Sequence, residues 1–159
     1  MKKGMLIILG IVSVNCWAWS PYDTYETGEL VAAMATYTKQ EMIRYQPQMT
    51  ENSLGGLSWL IRLTGGSRLN SFLYYNDTER LVKYEILLPF SESSLQYLVE
   101  SSGISYRALL NSMGRPFRDN EELNLGIVYQ DRYTNISCKI VLELFSMIMR
   151  TEYYVQYKN

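Results

Sequence analysis

Five carboxylates are the side chains with which this chain could perform acid–base chemistry, because it contains no histidine. They are Glu85, Asp119, Glu121, Glu122 and Glu143. Glycosidases use a pair of such groups, one as general acid and the other as nucleophile or base. Glu85 and Glu143, however, fall on strand positions where Lys83 and Lys139 also alternate, a pattern typical of solvated sheet surface. The carboxylates therefore predict no convergent catalytic site.

The absence of histidine also excludes Ser-His-Asp and Cys-His catalysis, histidine-ligated zinc or haem, and a histidine pH switch. Residues 119–122 are expected to form a charged loop, which lacks the ligand spacing of a calcium site. The glycine pairs 55–56 and 65–66 lack the lysine and the strand-to-helix context of a phosphate-binding loop, and they indicate strand boundaries instead. We therefore expect a protein that is not an enzyme and has no metal or other cofactor.

Residues 1–18 have the three parts of a secretory signal peptide. Lys2 and Lys3 form the basic start, residues 4–14 carry no charge, and Cys16 and Ala18 stand at −3 and −1 of a cleavage site. The apolar run is shorter than the about 20 residues that span a bilayer. We expect cleavage after Ala18 and a periplasmic or secreted domain of residues 19–159. One alternative is an inner-membrane anchor formed by an uncleaved 4–19 segment; a lipidated Cys16 fits less well, because the small residue and the leucine that should precede it are missing.

Cleavage after Ala18 would leave 141 residues (159 − 18), with 13 basic residues (15 less Lys2 and Lys3), 16 acidic residues and a net charge of −3. Such a chain has no electrostatic footprint for nucleic acid and no polybasic stretch for an anionic membrane. Cys138 would be the one remaining cysteine, so the core rather than a disulfide must hold the domain. Because Cys138 lies on the apolar face of a predicted strand, we expect a buried structural thiol.

The hydropathy pattern predicts one domain with the element order α-β-β-β-α-β-β-α. Helices are expected over 27–46, which Pro47 ends, over 91–103 with a further turn or two over 106–113, and over 145–157. Strands are expected over 57–63, 68–75, 81–88, 123–130 and 136–144. The end of the last helix, residues 153–155, is equally compatible with an extended conformation. This order predicts an α+β fold in which helices pack on one face of an antiparallel sheet.

Several apolar residues in the two predicted hairpins occupy the alternate strand positions whose side chains point away from the helices. The inward set of the first hairpin is Leu69, Leu73, Tyr75, Val82, Tyr84, Ile86 and Leu88. The outward apolar residues are then Phe72, Tyr74, Leu81 and Leu87, with Val128 and Val141 in the second hairpin. A face of this kind is too apolar for a monomer, and Tyr and Phe are enriched at interface cores. We therefore predict a protein interface at Phe72, Tyr74, Leu87, Val128 and Val141, unless a loop covers them or they are isolated surface residues.

The element order resembles that of the class I type III secretion chaperones and the YbjN-like proteins. The resemblance rests on residues 81–90 (LVKYEILLPF), which lead into the 91–103 helix, and on the second hairpin and last helix that follow. It implies a homodimer that binds another polypeptide. The chain departs from the chaperones in its signal peptide, because they work in the cytosol, so the partner would lie outside the cytosol.

Two functions are consistent with these features. The first is an exported protein-binding factor, accessory or chaperone-like, in secretion, surface assembly or envelope regulation. The second is a periplasmic inhibitor or immunity protein that blocks a toxin or hydrolase, for which the loop at 115–122 would project into the active-site cleft of the target.

Overall fold

The computed structural model describes residues 19–63 and 65–159, and the predicted signal peptide at 1–18 lies outside these residues. The helices are α1 (Thr24–Met34), α2 (Lys39–Tyr45), α3 (Glu92–Ser101) and α4 (Tyr106–Met113), with a 3₁₀ turn at Leu144–Ser146. The strands are β1 (Thr50–Glu51), β2 (Leu57–Arg62), β3 (Arg68–Tyr75), β4 (Leu81–Pro89), β5 (Glu121–Gln130), β6 (Thr134–Glu143) and β7 (Ile148–Tyr157). The described residues form one α+β domain with an antiparallel sheet, as the sequence predicts.

The strands form a single sheet in the order β1-β2-β3-β4-β7-β6-β5. The predicted closing helix is wrong, because residues 148–157 are the strand that joins the two hairpins. Met149, Thr151 and Tyr153 point inward in alternation with Arg150 and Glu152, so the period is two rather than 3.6. The Thr151 hydroxyl lies in the core and donates to the Ile86 carbonyl at 3.1 Å, which satisfies the polar group. The last element of the predicted order, on which the family resemblance partly rests, is therefore absent.

The helices pack on the inward face of the sheet. Helix α1 crosses β5, β6 and β7, where a Cβ atom at Gly28 would lie 2.7 Å from Cβ of Tyr129. The absence of a side chain at Gly28 therefore allows this close approach. The single helix expected over 27–46 is in fact two helices, because Thr38 starts α2 with a capping box to Glu41.

Trp19, which cleavage after Ala18 would make the first residue, is already part of the packed domain. Its ring stacks on Trp59 with centroids 6.2 Å apart, and its indole Nε1 donates to Thr27 Oγ1 at 3.2 Å. Trp59 is itself buried in the core.

Register shifts in both hairpins reverse the predicted facing of two outward residues. The register shifts between Tyr74 and Tyr75, so Leu81 pairs with Tyr75 and is fully buried on the helix side. Shifts in β5 likewise turn Val128 toward α1, where its Cγ2 would lie 3.2 Å from a Cβ atom at Gly28. Val128 is therefore not on the face with the other predicted interface residues.

Cys138 is a free thiol buried in the core, as expected from its strand position. Burial raises the pKa of this thiol to about 12. Within 19–63 and 65–159, none of the helices has the length and apolar character that crossing a bilayer requires.

Candidate interaction surface

The outer face of the sheet is the side opposite the helices. From the strand pairing, its residues form rows that run across the strands. The first row contains Leu60, Asn70, Leu87, Arg150, Val141 and Glu122. The second row contains Ser58, Phe72, Glu85, Glu152, Lys139 and Asn124. The third row contains Tyr74, Lys83, Tyr154, Ser137 and Ile127.

Two carboxylates occupy the centre of the outer face. Glu85 of β4 and Glu152 of β7 are directly opposite each other, and both lie close to one guanidinium. Arg150 Nε lies 3.2 Å from Glu85 Oε2 and 3.0 Å from Glu152 Oε2. The same arginine also pairs with Glu143. Arg150 therefore offsets the repulsion that two adjacent carboxylates would otherwise produce.

Tyrosine hydroxyls cover both carboxylates. The Tyr74 hydroxyl donates to Glu85 Oε1 at 2.9 Å, and the Tyr154 hydroxyl donates to Glu152 Oε1 at 2.6 Å. Partial burial and the hydrogen bond to Glu85 raise the pKa of Tyr74 to about 12. Burial and the bond to Glu152 likewise raise the pKa of Tyr154 above its ordinary value. Both phenols are therefore protonated donors at neutral pH.

Glu152 is ionised in this setting. Burial alone would raise the pKa of this carboxyl group, but the hydrogen bonds from Tyr154 and Arg150 and the charge of Lys83 hold it below its ordinary value. Lys83 and Lys139 lie 4.0 Å and 3.8 Å from the Glu152 carboxylate.

We call Lys83, Glu85, Lys139, Arg150 and Glu152 the ion-pair network. Lys83 also lies over the Tyr74 ring, 4.4 Å from its centroid, so an aromatic ring covers the ammonium group as well. Glu85 and Glu152 are only 7% and 6% exposed. The sequence-based expectation of ordinary solvated surface at Glu85 is therefore wrong, because its neighbours enclose its carboxylate.

Four of the five predicted interface residues lie on the outer face. Phe72 and Leu87 are half-buried beside the ion-pair network, and Tyr74 supplies the hydroxyl to Glu85. Val141 is 4% exposed, so its side chain is packed among its neighbours and does not project from the outer face. The fifth residue, Val128, packs on the helix side.

Of the other candidate carboxylates, Glu122 and Glu143 contact the edge of this centre through Lys139 and Arg150, whereas Glu121 and Asp119 do not. Glu121 is held by Arg115, with Nη1 to Oε1 at 2.7 Å and Nη2 to Oε2 at 3.1 Å. The Arg115 bonds and the Arg118 backbone amide lower the pKa of Glu121 to about 2. Asp119 Oδ1 accepts from the backbone amides of Leu144 and Phe145. Within 19–63 and 65–159, no cluster of three or more acidic or cysteine side chains could hold a metal ion.

The β7 members of the surface, Arg150, Glu152 and Tyr154, were not predicted from the sequence. The available signal is the alternation of these polar residues with Met149, Thr151 and Tyr153, which was hidden by the helical interpretation of 145–157. No protein-family model, curated protein or solved structure matches the chain.

Proposed function

We propose that this chain is an exported, non-enzymatic protein-binding factor that acts in secretion, surface assembly or envelope regulation. The proposal is supported by the composition of the outer face, which no described element covers. On this face, the apolar side chains of Phe72 and Leu87 lie beside the ion-pair network. Because the charged groups are already paired and held, little side-chain entropy is lost when a partner binds. Complementary charges then select the partner, and the apolar side chains contribute the buried area.

A second copy of the chain is one partner of this surface, in line with the homodimer that the family resemblance implies. Arg62 of β2 and Arg68 of β3 are directly opposite and exposed, and neither forms an ion pair with a residue in 19–63 or 65–159. Like charges in this position repel each other. They therefore favour an acidic partner from outside the domain.

The acidic residues Glu122 of β5 and Glu143 of β6 lie at the opposite side of the outer face. A two-fold axis that runs along the strands between β4 and β7 would place β2 over β5 and β3 over β6 of the second copy. Arg68 would then face Glu143, whereas Glu122 would lie opposite Leu60, two residues along the strand from Arg62. The pairing places Arg68 and Glu143 at the same height along the strands, because both lie level with Pro89 and Ile148.

The dimensions of the face predict a weak dimer. From β2 to β5 it is about 24 Å wide, and its rows extend about 20 Å along the strands, at the usual strand spacing and rise. Two such faces would bury about 1,000 Å², the lower limit for a specific interface. We therefore expect a dimer that dissociates in the micromolar range.

Photo-crosslinking in cells tests the binding surface. A photoreactive phenylalanine at Phe72 should give adducts in the envelope, whereas the same group at Tyr133, in the exposed β5–β6 turn, should give none. Adducts at residue 133 but not at 72 would contradict the proposed surface. Fractionation tests the compartment: a chain that stays in the cytosol with residues 1–18 attached would contradict export.

The inhibitor alternative is supported by a different feature. The 3₁₀ turn between β6 and β7 presents Phe145 with 91% of its surface exposed, while Asp119 binds the backbone of the turn. The loop at 115–122 is therefore tied to the domain, and Phe145 is the side chain that projects. An inhibitor would insert this ring into a cleft, so Phe145→Ala should abolish inhibition of the target hydrolase or toxin and leave outer-face binding unchanged.

A further inference from the structure

Strand β5 is an edge of the sheet, and its free edge lies beside an apolar groove. One side of β5 pairs with β6, and no strand formed by residues 19–63 or 65–159 lies on the other side. The groove, of about 200 Å³, is lined by residues 121–125 of β5 and by Ile104, Leu109 and Met113. The Glu121 amide donates to the Arg118 carbonyl at 3.1 Å, so the free edge begins after this amide and runs beside the apolar groove.

The dimensions of the groove favour peptide side chains over a small molecule. Ligand pockets usually measure about 300–1,000 Å³, and this groove is smaller. Helix α4 supplies Leu109 and Met113 as half-buried residues, so an added apolar side chain would complete a packing surface that is already partly formed. An edge strand satisfies its free N–H and C=O groups when another strand adds to it.

The residues around the groove also indicate the charge of the added strand. Leu123 and Leu125 face the helices, whereas the intervening Glu122 and Asn124 face outward. Glu121 is neutralised by Arg115, but the Glu122 side chain is 62% exposed and has only a 3.4 Å pair with Lys139. A bulge between Asn124 and Gly126 interrupts the edge, so only residues 121–124 can extend the ladder.

We propose that β5 and α4 form a binding site for an extended polypeptide segment, which adds as a short strand to residues 121–124. Its apolar side chains enter the groove beside Leu109 and Met113, and the alternate side chains are basic and face Glu122. This proposal rests on the protein-binding function proposed above and assigns the client to the β5 edge, which shares Glu122 and Asn124 with the rim of the outer face. A dimer formed through the outer face leaves this groove accessible on the helix side.

A labelled peptide of about eight residues, in which leucine and valine alternate with lysine and threonine, tests the site by fluorescence anisotropy. Two further peptides carry N-methyl groups on one or the other set of alternate amides. We expect one methylated peptide to lose at least about tenfold in affinity and the other to bind normally, because only one edge of the peptide pairs with β5. Equal binding of all three peptides, or no binding of any, would overturn the proposal.

The protein variants are Met113→Glu in the groove and Ser112→Glu at the adjacent, exposed position of α4. M113E should weaken binding at least about tenfold, whereas S112E should stay within about twofold. Equal effects of the two variants would refute the groove. If M113E does not fold, the site is tested by NMR in the unaltered chain. The amide chemical shifts that change when the peptide is added should cluster at 121–125, and changes elsewhere would overturn the site. Loss of peptide binding with crosslinking retained at residue 72 would reject this site alone.

Discussion

Removal of the charge at Glu152 is expected to destabilise the domain by more than its surface position suggests. The Glu152→Gln substitution keeps the shape of the side chain and an acceptor for Tyr154. It removes the carboxylate that Arg150, Lys83 and Lys139 share. Loss of one partner from a fully buried pair costs about 3–5 kcal/mol, and loss from an exposed pair costs about 0–1 kcal/mol.

Glu152 lies between these limits, because its side chain is 7% exposed while those of Lys83 and Arg150 are 24% and 30% exposed. Because the partly exposed cations are screened by solvent, the cost is smaller than for a fully buried pair. We expect E152Q to lower the free energy of unfolding by about 2 kcal/mol at pH 7. Urea unfolding at two protein concentrations measures the change and separates folding from dimer formation. Glu122→Gln is the matched control, since that side chain is 62% exposed with one ion pair, and it should cost less than about 0.5 kcal/mol.

The pH dependence gives a second test of the same contribution. The folded-state pKa of Glu152 is below its ordinary value, so its contribution is fully present above about pH 4.3, the unfolded pKa, and is lost as the pH falls. The difference between the unaltered chain and E152Q should therefore be constant from neutral pH to about pH 5 and shrink below pH 4. Equal destabilisation by E152Q and E122Q, or a difference that persists at pH 3, would refute the role assigned to Glu152.

Three further predictions concern the packed core. Trp19→Ala should lower the free energy of unfolding in urea by about 2 kcal/mol, because it removes the stack on Trp59 and an indole hydrogen bond. No measurable change in stability would contradict the packing of Trp19 against the domain. Gly28→Ala should destabilise by about 1–2 kcal/mol despite the better helix propensity of alanine, because its Cβ would clash with Tyr129; increased stability would contradict this close approach. Cys138 should not react with a thiol reagent until the protein unfolds, because its thiol is buried with a raised pKa, and rapid native-state labelling would show otherwise.

The sequence was sufficient where local signals mark both ends of an element. Helix α4 occupies the predicted range, because Ser105 caps its start and Gly114, with a φ of +65°, ends it. Strand β3 also has its predicted bounds. These elements depend on neighbours within a few residues, and such neighbours can be identified in the sequence.

Strand β7 could not be recognised in the same way. Tyrosine fits both the buried and the half-exposed side of a strand, and the inward Thr151 interrupts the apolar alternation. The same residues place Phe145, Ile148 and Met149 at helical spacing. The strand forms because β4 and β6 lie on either side of it, which is a long-range condition that local propensity does not contain.

The outer-face network was missed for a related reason. Glu85 and Glu152 are opposite only in the observed register of β4 and β7, and the two positions are 67 residues apart (152 − 85). The bulges that turn Leu81 and Val128 inward depend equally on pairing. Because a shift of one residue moves a side chain to the other face, facing is the least predictable feature of these strands.

Sedimentation equilibrium of residues 19–159 tests whether the outer face joins two copies of the chain. Arg68→Glu and Glu143→Lys should each give a monomer at concentrations where the unaltered chain is expected to dimerise. An equimolar mixture of the two variants should dimerise again, since both cross-axis contacts regain opposite charges. Arg132→Glu, in the β5–β6 turn, is the control and should not change the assembly. A monomeric unaltered chain at all micromolar concentrations, or a mixture that stays monomeric, would contradict the two-fold arrangement.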